Sequence, residues 1–384
     1  METAKMASAC SSPDISLMTN ATRTSSYMVR VDDSDDLKSL CTKYVPFWNT
    51  LDNDDIKVNR ITIALTNRVY KVQITHPEDG TLRVQKVLLR IISADKTILF
   101  DLDHQNEVLE LLSSYEFAPK LVAVFPGGRI EQWLDGFVLD TDSLQNLSIV
   151  TSIASLLGKF HRIVSMVAKP SWSRRPSIER TIEKWIPHAR TIVKDNGLNI
   201  EVEEMCRAFD IYKKVIAKHA ETSQSFSNKV MFCHNDLHIK NIIATYHGLR
   251  LIDFEYSGFN YVGYDIANFF AEITFCYDVD IPPYFRVDES LELSRDLKVL
   301  FASVYLSEVT SSNVMPSDSE LVEEFLRSIE IHSLGPMLFW SFWGILMVTQ
   351  PEANVCFDYL AYSKIKFDVF KRILKRVTVE YTLD

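Results

Sequence analysis

A short stretch of the chain carries the side-chain types that phosphoryl transfer needs. Asp236 follows His234, Asn241 lies five residues after Asp236, and Asp253 stands at the end of the next apolar run. In phosphoryl transfer, one carboxylate accepts the proton of the attacking hydroxyl, while carboxylate and amide oxygens hold magnesium against the phosphates of ATP. The two acids and the asparagine together supply this set of groups.

Two short apolar runs can deliver these residues to one place. Residues 231–233 lead into the first loop, and residues 249–252 lead to Asp253. Both runs have the composition of short strands, so a hairpin can bring Asp236, Asn241 and Asp253 together. The alternative is that they are ordinary turn residues, because Asn and Asp favour loops. We favour the first interpretation, because H-x-D-x-x-x-x-N is the catalytic-loop spacing of protein kinases and of small-molecule kinases built on the same plan.

Length and composition limit the classes of function. The chain has 384 residues, enough for two lobes, and 47% of them are hydrophobic, enough for a sizeable core. Its net charge of −10 argues against nucleic-acid binding, which needs a basic face. The most apolar stretch, 334–348, is too short to span a bilayer and contains Gly335 and Pro336. We therefore expect no membrane span and predict a buried helix there.

The six cysteines are scattered, without a C-x-x-C pair. With no basic-plus-apolar signal at the N-terminus, this distribution predicts free thiols in a reducing cytosol and no zinc site. Residues 1–35 are rich in Ser, Thr and Asp and show no helical or strand period, which predicts a disordered tail.

The hydrophobic pattern divides the rest of the chain into two parts. Strand-like alternation or hairpin signals occur at 60–63, 69–74, 84–92 and 121–134, with one helical segment at 106–115. After residue 135, apolar residues mostly recur at helical spacing, as in 149–163, 201–220, 291–310, 319–349 and 359–378. This predicts an α+β, bilobal protein-kinase-like fold. A small β-rich nucleotide-binding lobe covers 36–134, and a larger, mostly helical lobe with the catalytic loop and acceptor pocket covers 135–384.

The chain from about residue 60 to 378 resembles the choline and ethanolamine kinases. The resemblance rests on FPGGRIEQW at 125–133, on HNDLHIKN at 234–241, on LIDFEYSGFNYVGYDIANFFAE at 251–272, and on the C-terminal runs FWSFWG and CFDYLAYSKIKFDVF. It implies phosphorylation of choline or ethanolamine, both small amino-alcohols, with ATP and magnesium as cofactors. This is the entry step to phosphatidylcholine or phosphatidylethanolamine. A cytoplasmic enzyme is expected from the cysteine distribution, and the resemblance is compatible with a homodimer.

The resemblance assigns roles at the catalytic and nucleotide sites. It implies that Asp236 is the general base, in contact with the acceptor, and that Asn241 and Asp253 are the magnesium ligands. Residues implied to lie against the nucleotide are Thr66 and Asn67 at the tip of a phosphate-covering hairpin, Arg90 at the phosphates, Gln132 at the adenine, and His238. From chemistry alone, a strand-borne Arg90 can stabilise the charge that develops on the phosphoryl group. A surface arginine at a strand end is the alternative.

The acceptor site is predicted from aromatic residues. A quaternary ammonium donates no hydrogen bond and is held by aromatic faces and nearby negative charge. Trp340 and Trp343 are three apart on a predicted helix and so share a face. On spacing alone, core packing is the more common meaning of such a pair. The resemblance adds Tyr277 and Tyr362 to the pocket, with Glu272 as its carboxylate.

Two other acids lie near the motif. The resemblance implies that Asp265 braces the catalytic loop by hydrogen bonds. Glu255, two residues past Asp253, either assists metal binding or faces solvent.

One departure from the family pattern keeps alternatives open. The family usually has two glycines before the Thr/Ser-Asn of the phosphate hairpin, where this chain has Ile63 and Ala64. Glycine lets the backbone approach phosphates closely, so its loss supports an inactive, ligand-binding relative. The complete set of acids supports an active kinase, with choline as first choice of acceptor and ethanolamine as the alternative. An aminoglycoside-type phosphotransferase would share H-x-D-x-x-x-x-N but not the tryptophan pair.

Overall fold

The N-terminal part of the chain forms a five-stranded antiparallel sheet, as the alternating pattern predicts. The computed structural model describes residues 33–61, 68–75, 84–92, 99, 101–349 and 356–381. The strands are β1 (Ile56–Ile61), β2 (Arg68–Ile74), β3 (Lys86–Ile91), β4 (Leu121–Phe125) and β5 (Gly128–Gln132), in the order β1-β2-β3-β5-β4. Residues 1–32 of the predicted tail lie outside the described residues. A helix begins at Ser34, so the predicted end of the tail at residue 35 is wrong by two residues, because the Asp33 carboxylate caps the helix.

Two helices accompany this sheet. Helix α1 (Ser34–Tyr44) packs Leu37 and Cys41 into a small core with Val72 and Leu89 of the sheet. Helix α2 (Leu102–Ser114) joins β3 to β4 and is capped by Asp101, whose carboxylate accepts the N–H groups of Asp103 and His104.

The register between β3 and β5 determines which side chains reach the cleft. Arg90 lies directly opposite Arg129, and Leu88 lies opposite Glu131. Residues that face each other across two strands share one side of the sheet. Arg90, Arg129 and Glu131 therefore project together.

The larger C-terminal part is mostly helical. Its helices are α3 (Leu147–Val167), α4 (Ser177–Asp195), α5 (Val202–Thr222), α6 (Val262–Glu272), α7 (Arg295–Thr310), α8 (Ser319–His332), α9 (Leu334–Met347) and α10 (Tyr359–Tyr381). Its short strands are β6 (Gly136–Val138), β7 (Val230–Cys233), β8 (Ile242–Thr245), β9 (Gly248–Leu251), β10 (Gly258–Tyr261), β11 (Phe275–Cys276) and β12 (Arg286–Val287). Strands β8 and β9 form the hairpin between the two motif segments, while β7 pairs with β10.

The apolar stretch near the C-terminus is a buried helix, as predicted. Every residue of α9 is buried, and the helix packs against α4, α5 and α10. The helical region 319–349 divides into α8 and α9 at Ser333, because Pro336 lacks an N–H and fits best in the first turn of a new helix. Among the described helices, α3 alone has the length and hydropathy of a membrane-spanning segment, and its buried side chains, such as Val150 and Leu157, lie in the core.

Candidate active site

A cleft of about 810 Å³ lies between the sheet and the helical part. Its lining includes eleven of the thirteen residues predicted for the site: Arg90, Gln132, Asp236, His238, Asn241, Asp253, Glu272, Tyr277, Trp340, Trp343 and Tyr362. The other two, Thr66 and Asn67, lie outside the described residues, as do Ile63 and Ala64.

The loop that carries Asp236 is held by a buried carboxylate. Asp265 on α6 accepts the backbone N–H groups of His234 and Asn235, each at 2.8 Å. Its Oδ2 also lies 3.0 Å from Nε2 of His161. Asn235 adopts φ of 66°, which asparagine tolerates better than most residues. The predicted bracing role of Asp265 is confirmed by these contacts.

His161, Cys233 and Asp265 lie close enough to share a metal ion. Their donor atoms are already engaged, because the Cys233 thiol donates to the Asn260 carbonyl at 3.5 Å and His161 bridges Asp265 and Tyr305. Burial raises the pKa of the Cys233 thiol well above its usual range, which keeps it protonated. The group therefore acts as part of the loop's brace. The five cysteines in the described ranges are all free thiols, as predicted.

Asp236 is a half-buried carboxylate with few hydrogen-bond donors around it. Asn241 donates its Nδ2 to the backbone carbonyl of Asp236 at 2.9 Å and, at 3.4 Å, to its Oδ2. Burial raises the pKa of Asp236 well above its usual range, and the charges of Asp253, Glu255 and Glu272 act in the same direction. The group is thus a better proton acceptor than an exposed aspartate.

Asp253 follows β9 and lines the cleft. Arg90 donates from Nη1 to its Oδ1 at 3.1 Å. Burial acts to raise the pKa of Asp253, but the charges of Arg90 and Arg129 outweigh it and lower the pKa below its usual value. Asp253 has φ of 65°, a costly conformation for a residue with a side chain, of the kind that clusters at functional sites.

An ion network that the sequence reasoning missed holds Arg90 in place. Glu131 accepts from Nε of Arg90 at 3.2 Å and from Nε of Arg129 at 2.7 Å. Gln105 of α2 accepts from Arg129 at 3.1 Å. Arg90 is only 6% exposed, so the surface-arginine alternative is wrong. The alternation in Gly128–Gln132, with Ile130 between two charged residues, was the signal that could have predicted this network.

Gln132 and His238 also line the cleft. Gln132 is the last residue of β5 and begins the segment 132–135, which joins the sheet to the helical part and is called the hinge. The N–H of Gln132 donates to the Lys120 carbonyl at 2.8 Å, and its side chain accepts from the N–H of Lys120 at 3.3 Å. Trp133 and Leu134 line the cleft next to it. Burial lowers the pKa of His238 to about 4, so its imidazole is neutral at physiological pH.

Aromatic side chains form the other end of the cleft. The rings of Trp340 and Trp343 meet edge to face at 5.5 Å between centroids, and Tyr362 meets Trp343 at 5.9 Å. The indole N–H of Trp340 donates to Asn268 at 2.8 Å, and that of Trp343 donates to Tyr256 at 2.9 Å. Both tryptophans are largely buried, so they serve core packing and line the cleft at once.

Glu272 lies at the aromatic end of the cleft, and each of its oxygens accepts a hydrogen bond. Tyr277 donates to Oε2 at 2.6 Å, and Lys366 donates to Oε1 at 2.5 Å. Burial acts to raise the pKa of Glu272, but the charge of Lys366 outweighs it and lowers the pKa. Sequence reasoning missed Lys366 and the cleft-lining Tyr256. The signal for Lys366 was its position between Tyr362 and Phe370 on the buried stripe of α10.

For Glu255 the sequence allows either metal assistance or a solvent-facing role. It is 7% exposed and lines the cleft, so the solvent-facing alternative is wrong.

A small β-rich lobe, a mostly helical lobe and an Asp-Asn-Asp set in the cleft between them define a bilobal phosphotransferase of protein-kinase-like fold. A family model described as choline/ethanolamine kinase matches residues 58–371. The chain therefore belongs to the choline/ethanolamine kinase family.

Individual relatives agree with this assignment. The chain is 27% identical to "Probable choline kinase 2" of Arabidopsis thaliana, over 84% of this chain and 87% of that protein. It is 26% identical to "Choline/ethanolamine kinase" of Rattus norvegicus, over 86% of this chain and 84% of that protein. The crystal structure of a choline kinase from Cryptosporidium parvum Iowa II superposes with a TM-score of 0.79 at 29% identity, covering 91% of this chain and 98% of that one.

Proposed function

We propose that this protein transfers the terminal phosphoryl group of ATP to the hydroxyl of choline, forming phosphocholine. The observation that carries the proposal is that one continuous cleft contains both Asp236 and an aromatic pocket. A cationic amino-alcohol held by its ammonium group in that pocket can present its hydroxyl to the carboxylate. Phosphocholine formation would be the first step of phosphatidylcholine synthesis, carried out in the cytoplasm.

In this mechanism, Asp236 accepts the proton of the choline hydroxyl as the oxygen attacks the terminal phosphorus. Its raised pKa favours proton transfer, although positioning and electrostatics contribute most of the rate in phosphoryl transfer. Arg90, fixed by Glu131, lies where it can stabilise charge on the phosphate oxygens. With the N–H of Gln132 already bonded to Lys120, we expect other hinge groups to contact the adenine.

We expect the ATP phosphates to lie beside Asn241 and Asp253, and we call this part of the cleft the phosphate end. Its residues fit a magnesium ion. Asn241 uses its Nδ2 for Asp236, which leaves its amide oxygen as a ligand. Asp253 uses Oδ1 for Arg90, which leaves Oδ2. Oxygen donors of these two types are the ligands that magnesium prefers. Magnesium there would neutralise charge on the ATP phosphates.

The acceptor pocket suits a quaternary ammonium. Trp340, Trp343 and Tyr362 offer ring faces and edges, and the indole N–H groups already have protein partners. A trimethylammonium group requires no hydrogen bond and is attracted by the negative face of such rings.

A side-by-side assay of choline and ethanolamine with purified protein, ATP and magnesium tests the proposal. We expect a higher kcat/KM for choline, and loss of turnover in Asp236→Ala. Full turnover in that variant would remove Asp236 from the mechanism. The absence of product from both acceptors would favour the inactive alternative, and restoring glycine at Ile63 and Ala64 should then leave activity absent.

Ethanolamine is the second candidate acceptor, favoured by one specific observation. Glu272 lies in the pocket wall, and a carboxylate can accept hydrogen bonds from a primary ammonium. An aminoglycoside acceptor is a further alternative. A raised KM for choline in Trp340→Ala would argue against that alternative, because the pocket would then be shown to hold the choline ammonium.

A further inference from the structure

A fully buried lysine stands behind the acceptor pocket. Lys366 of α10 has no solvent exposure, and its Nζ donates to Oε1 of Glu272. The same ammonium lies 3.3 Å from the centroid of the Phe275 ring and 5.2 Å from that of Tyr362. Lysine is almost never fully buried unless it is paired, so the contact with Glu272 is what makes this position tenable.

The pair leaves the pocket wall with no net charge. Glu272 already accepts from Lys366 on one oxygen and from Tyr277 on the other. A primary ammonium entering the pocket brings three N–H donors that need acceptors. The carboxylate keeps lone pairs for such donors, but Lys366 already neutralises its charge, so a primary ammonium must share Glu272 with another cation. A quaternary ammonium has no N–H donors and uses the rings of Trp340 and Trp343 instead.

We propose that Lys366 is a specificity-determining residue that, by occupying Glu272, biases the acceptor site toward quaternary over primary ammonium groups. Lys366 acts through Glu272 and is a positioning residue rather than a catalytic one. The inference rests on the proposed amino-alcohol acceptor site. Trp340 and Trp343 offer the same rings to both acceptors. The preference between the acceptors therefore depends on whether Lys366 or the acceptor's own ammonium neutralises Glu272.

The first experiment is Lys366→Met, assayed with choline and ethanolamine in the full chain. We expect the ratio of kcat/KM for choline to that for ethanolamine to fall about tenfold, mainly through a lower KM for ethanolamine, because the free carboxylate now accepts its N–H groups. Lys366→Arg keeps the positive charge and should keep the choline-to-ethanolamine ratio at its native value. Lys371→Met is the matched control, because Lys371 lies on the same helix, is exposed and pairs with Asp368. The proposal would be overturned if Lys366→Met melted like the native chain and still showed the native choline-to-ethanolamine ratio.

A second variant covers the case in which Lys366→Met does not fold, since removing one partner of a buried pair is strongly destabilising. Glu272→Gln/Lys366→Met removes both charges and keeps the wall neutral. We expect its choline-to-ethanolamine ratio to stay within about threefold of the native one, because the wall is neutral in both proteins. A choline-to-ethanolamine ratio that fell about tenfold in the double variant would mean that the neutralisation of Glu272 does not set the preference, and the proposal would be wrong, whatever the change in kcat/KM common to both acceptors.

Calorimetric titration of choline and ethanolamine separates this inference from the proposed reaction. If the native chain transfers no phosphate but binds choline more tightly, and Lys366→Met reverses that order, the inference holds while the kinase proposal fails. If the native chain forms phosphocholine but Lys366→Met binds both acceptors as the native chain does, the kinase proposal stands and the inference fails.

Discussion

The two ends of the cleft treat their carboxylates in opposite ways. At the phosphate end, Asp236 has Asn241 as its hydrogen-bonding side chain, and Asp253 has Arg90. At the acceptor end, Glu272 is bonded on both oxygens, by Tyr277 and by the ammonium of Lys366. Carboxylate oxygens thus remain available where a metal ion is expected, and they are occupied where aromatic faces are expected to hold the ligand.

The pKa directions of Asp236 and Glu272 express the same contrast, while Asp253 resembles Glu272 because Arg90 and Arg129 lower its pKa. Burial and neighbouring carboxylates raise the pKa of Asp236, whereas the charge of Lys366 overcomes burial and lowers the pKa of Glu272. Uncompensated negative charge in a buried cleft destabilises the empty protein and favours binding of a cation there. The difference between the two ends teaches that the phosphate end is organised to receive positive charge, while the acceptor end is already neutral.

The largest expected effect comes from removing charge at the phosphate end. Asp253→Asn should lower kcat by about a thousandfold or more, because the variant loses a carboxylate ligand and the partner of Arg90. The measurement is phosphocholine formation over a range of magnesium concentrations. Asp210→Asn, at an exposed site paired with Lys213, is the control and should behave as the native chain. Native turnover in Asp253→Asn would contradict the proposed metal site.

Asp236→Asn should separate activity from stability. Turnover should fall about a hundredfold or more, as expected for loss of a general base. Because the folded-state pKa of Asp236 is raised, the native state holds its proton more tightly than the unfolded chain does. The stability from this proton is fully present below the unfolded pKa and is lost as pH rises through the folded pKa.

At neutral pH without nucleotide, Asp236→Asn should therefore melt about 1–3 °C higher than the native chain. This difference in melting temperature should shrink as pH is lowered toward the ordinary pKa of aspartate. The Asp236 carboxyl of the unmutated chain is then protonated in both the folded and the unfolded state. Melting curves between pH 4 and 8 measure it. A lower melting temperature for the variant at neutral pH would mean that Asp236 does not destabilise the empty cleft.

A third carboxylate, fully engaged like Glu272 but buried behind the loop that carries Asp236, tests whether engaged carboxylates stabilise the structure around the site. Asp265 accepts two backbone N–H groups of the catalytic loop. In Asp265→Asn one of these contacts is lost, because the new amide NH2 would face a backbone N–H donor, and this should cost about 3 kcal/mol of stability. The displaced loop should lower kcat roughly tenfold to a hundredfold while the KM for choline changes little. A raised KM for choline with native kcat would instead assign Asp265 to the acceptor site.

The sequence predicted the local parts of this site well. Asp236, Asn241 and Asp253 were identified because a fixed short spacing and two flanking strands determine where they lie. The buried α9 was predicted from its continuous apolar run, although the start of a new helix at Leu334 was not. In each case the information lies within a few turns or one hairpin of the residue concerned.

Contacts between distant segments could not be predicted in this way. Arg90 and Asp253 are 163 positions apart, and Glu272 and Lys366 are 94 apart. Which acid pairs with which base depends on how β3, α6 and α10 pack together, and the chain contains 51 acidic residues to choose from. A charged residue on a buried helical stripe indicates that a partner exists, but only the packing identifies it.

The smallest expected effect on kinetics comes from a change at the aromatic end of the cleft. It tests whether ring faces, rather than a free charge, hold the acceptor there. Trp343→Leu should raise the KM for choline about tenfold and leave kcat nearly unchanged, because a cation–π contact contributes about 1–2 kcal/mol and acts equally in ground and transition states. Trp343→Phe keeps a ring and should raise this KM by only about threefold. Ethanolamine, which relies more on hydrogen bonds, should be affected less by either change. If kcat fell while KM for choline stayed native, Trp343 would be orienting the hydroxyl, and the acceptor end would contribute to the chemical step as the phosphate end does.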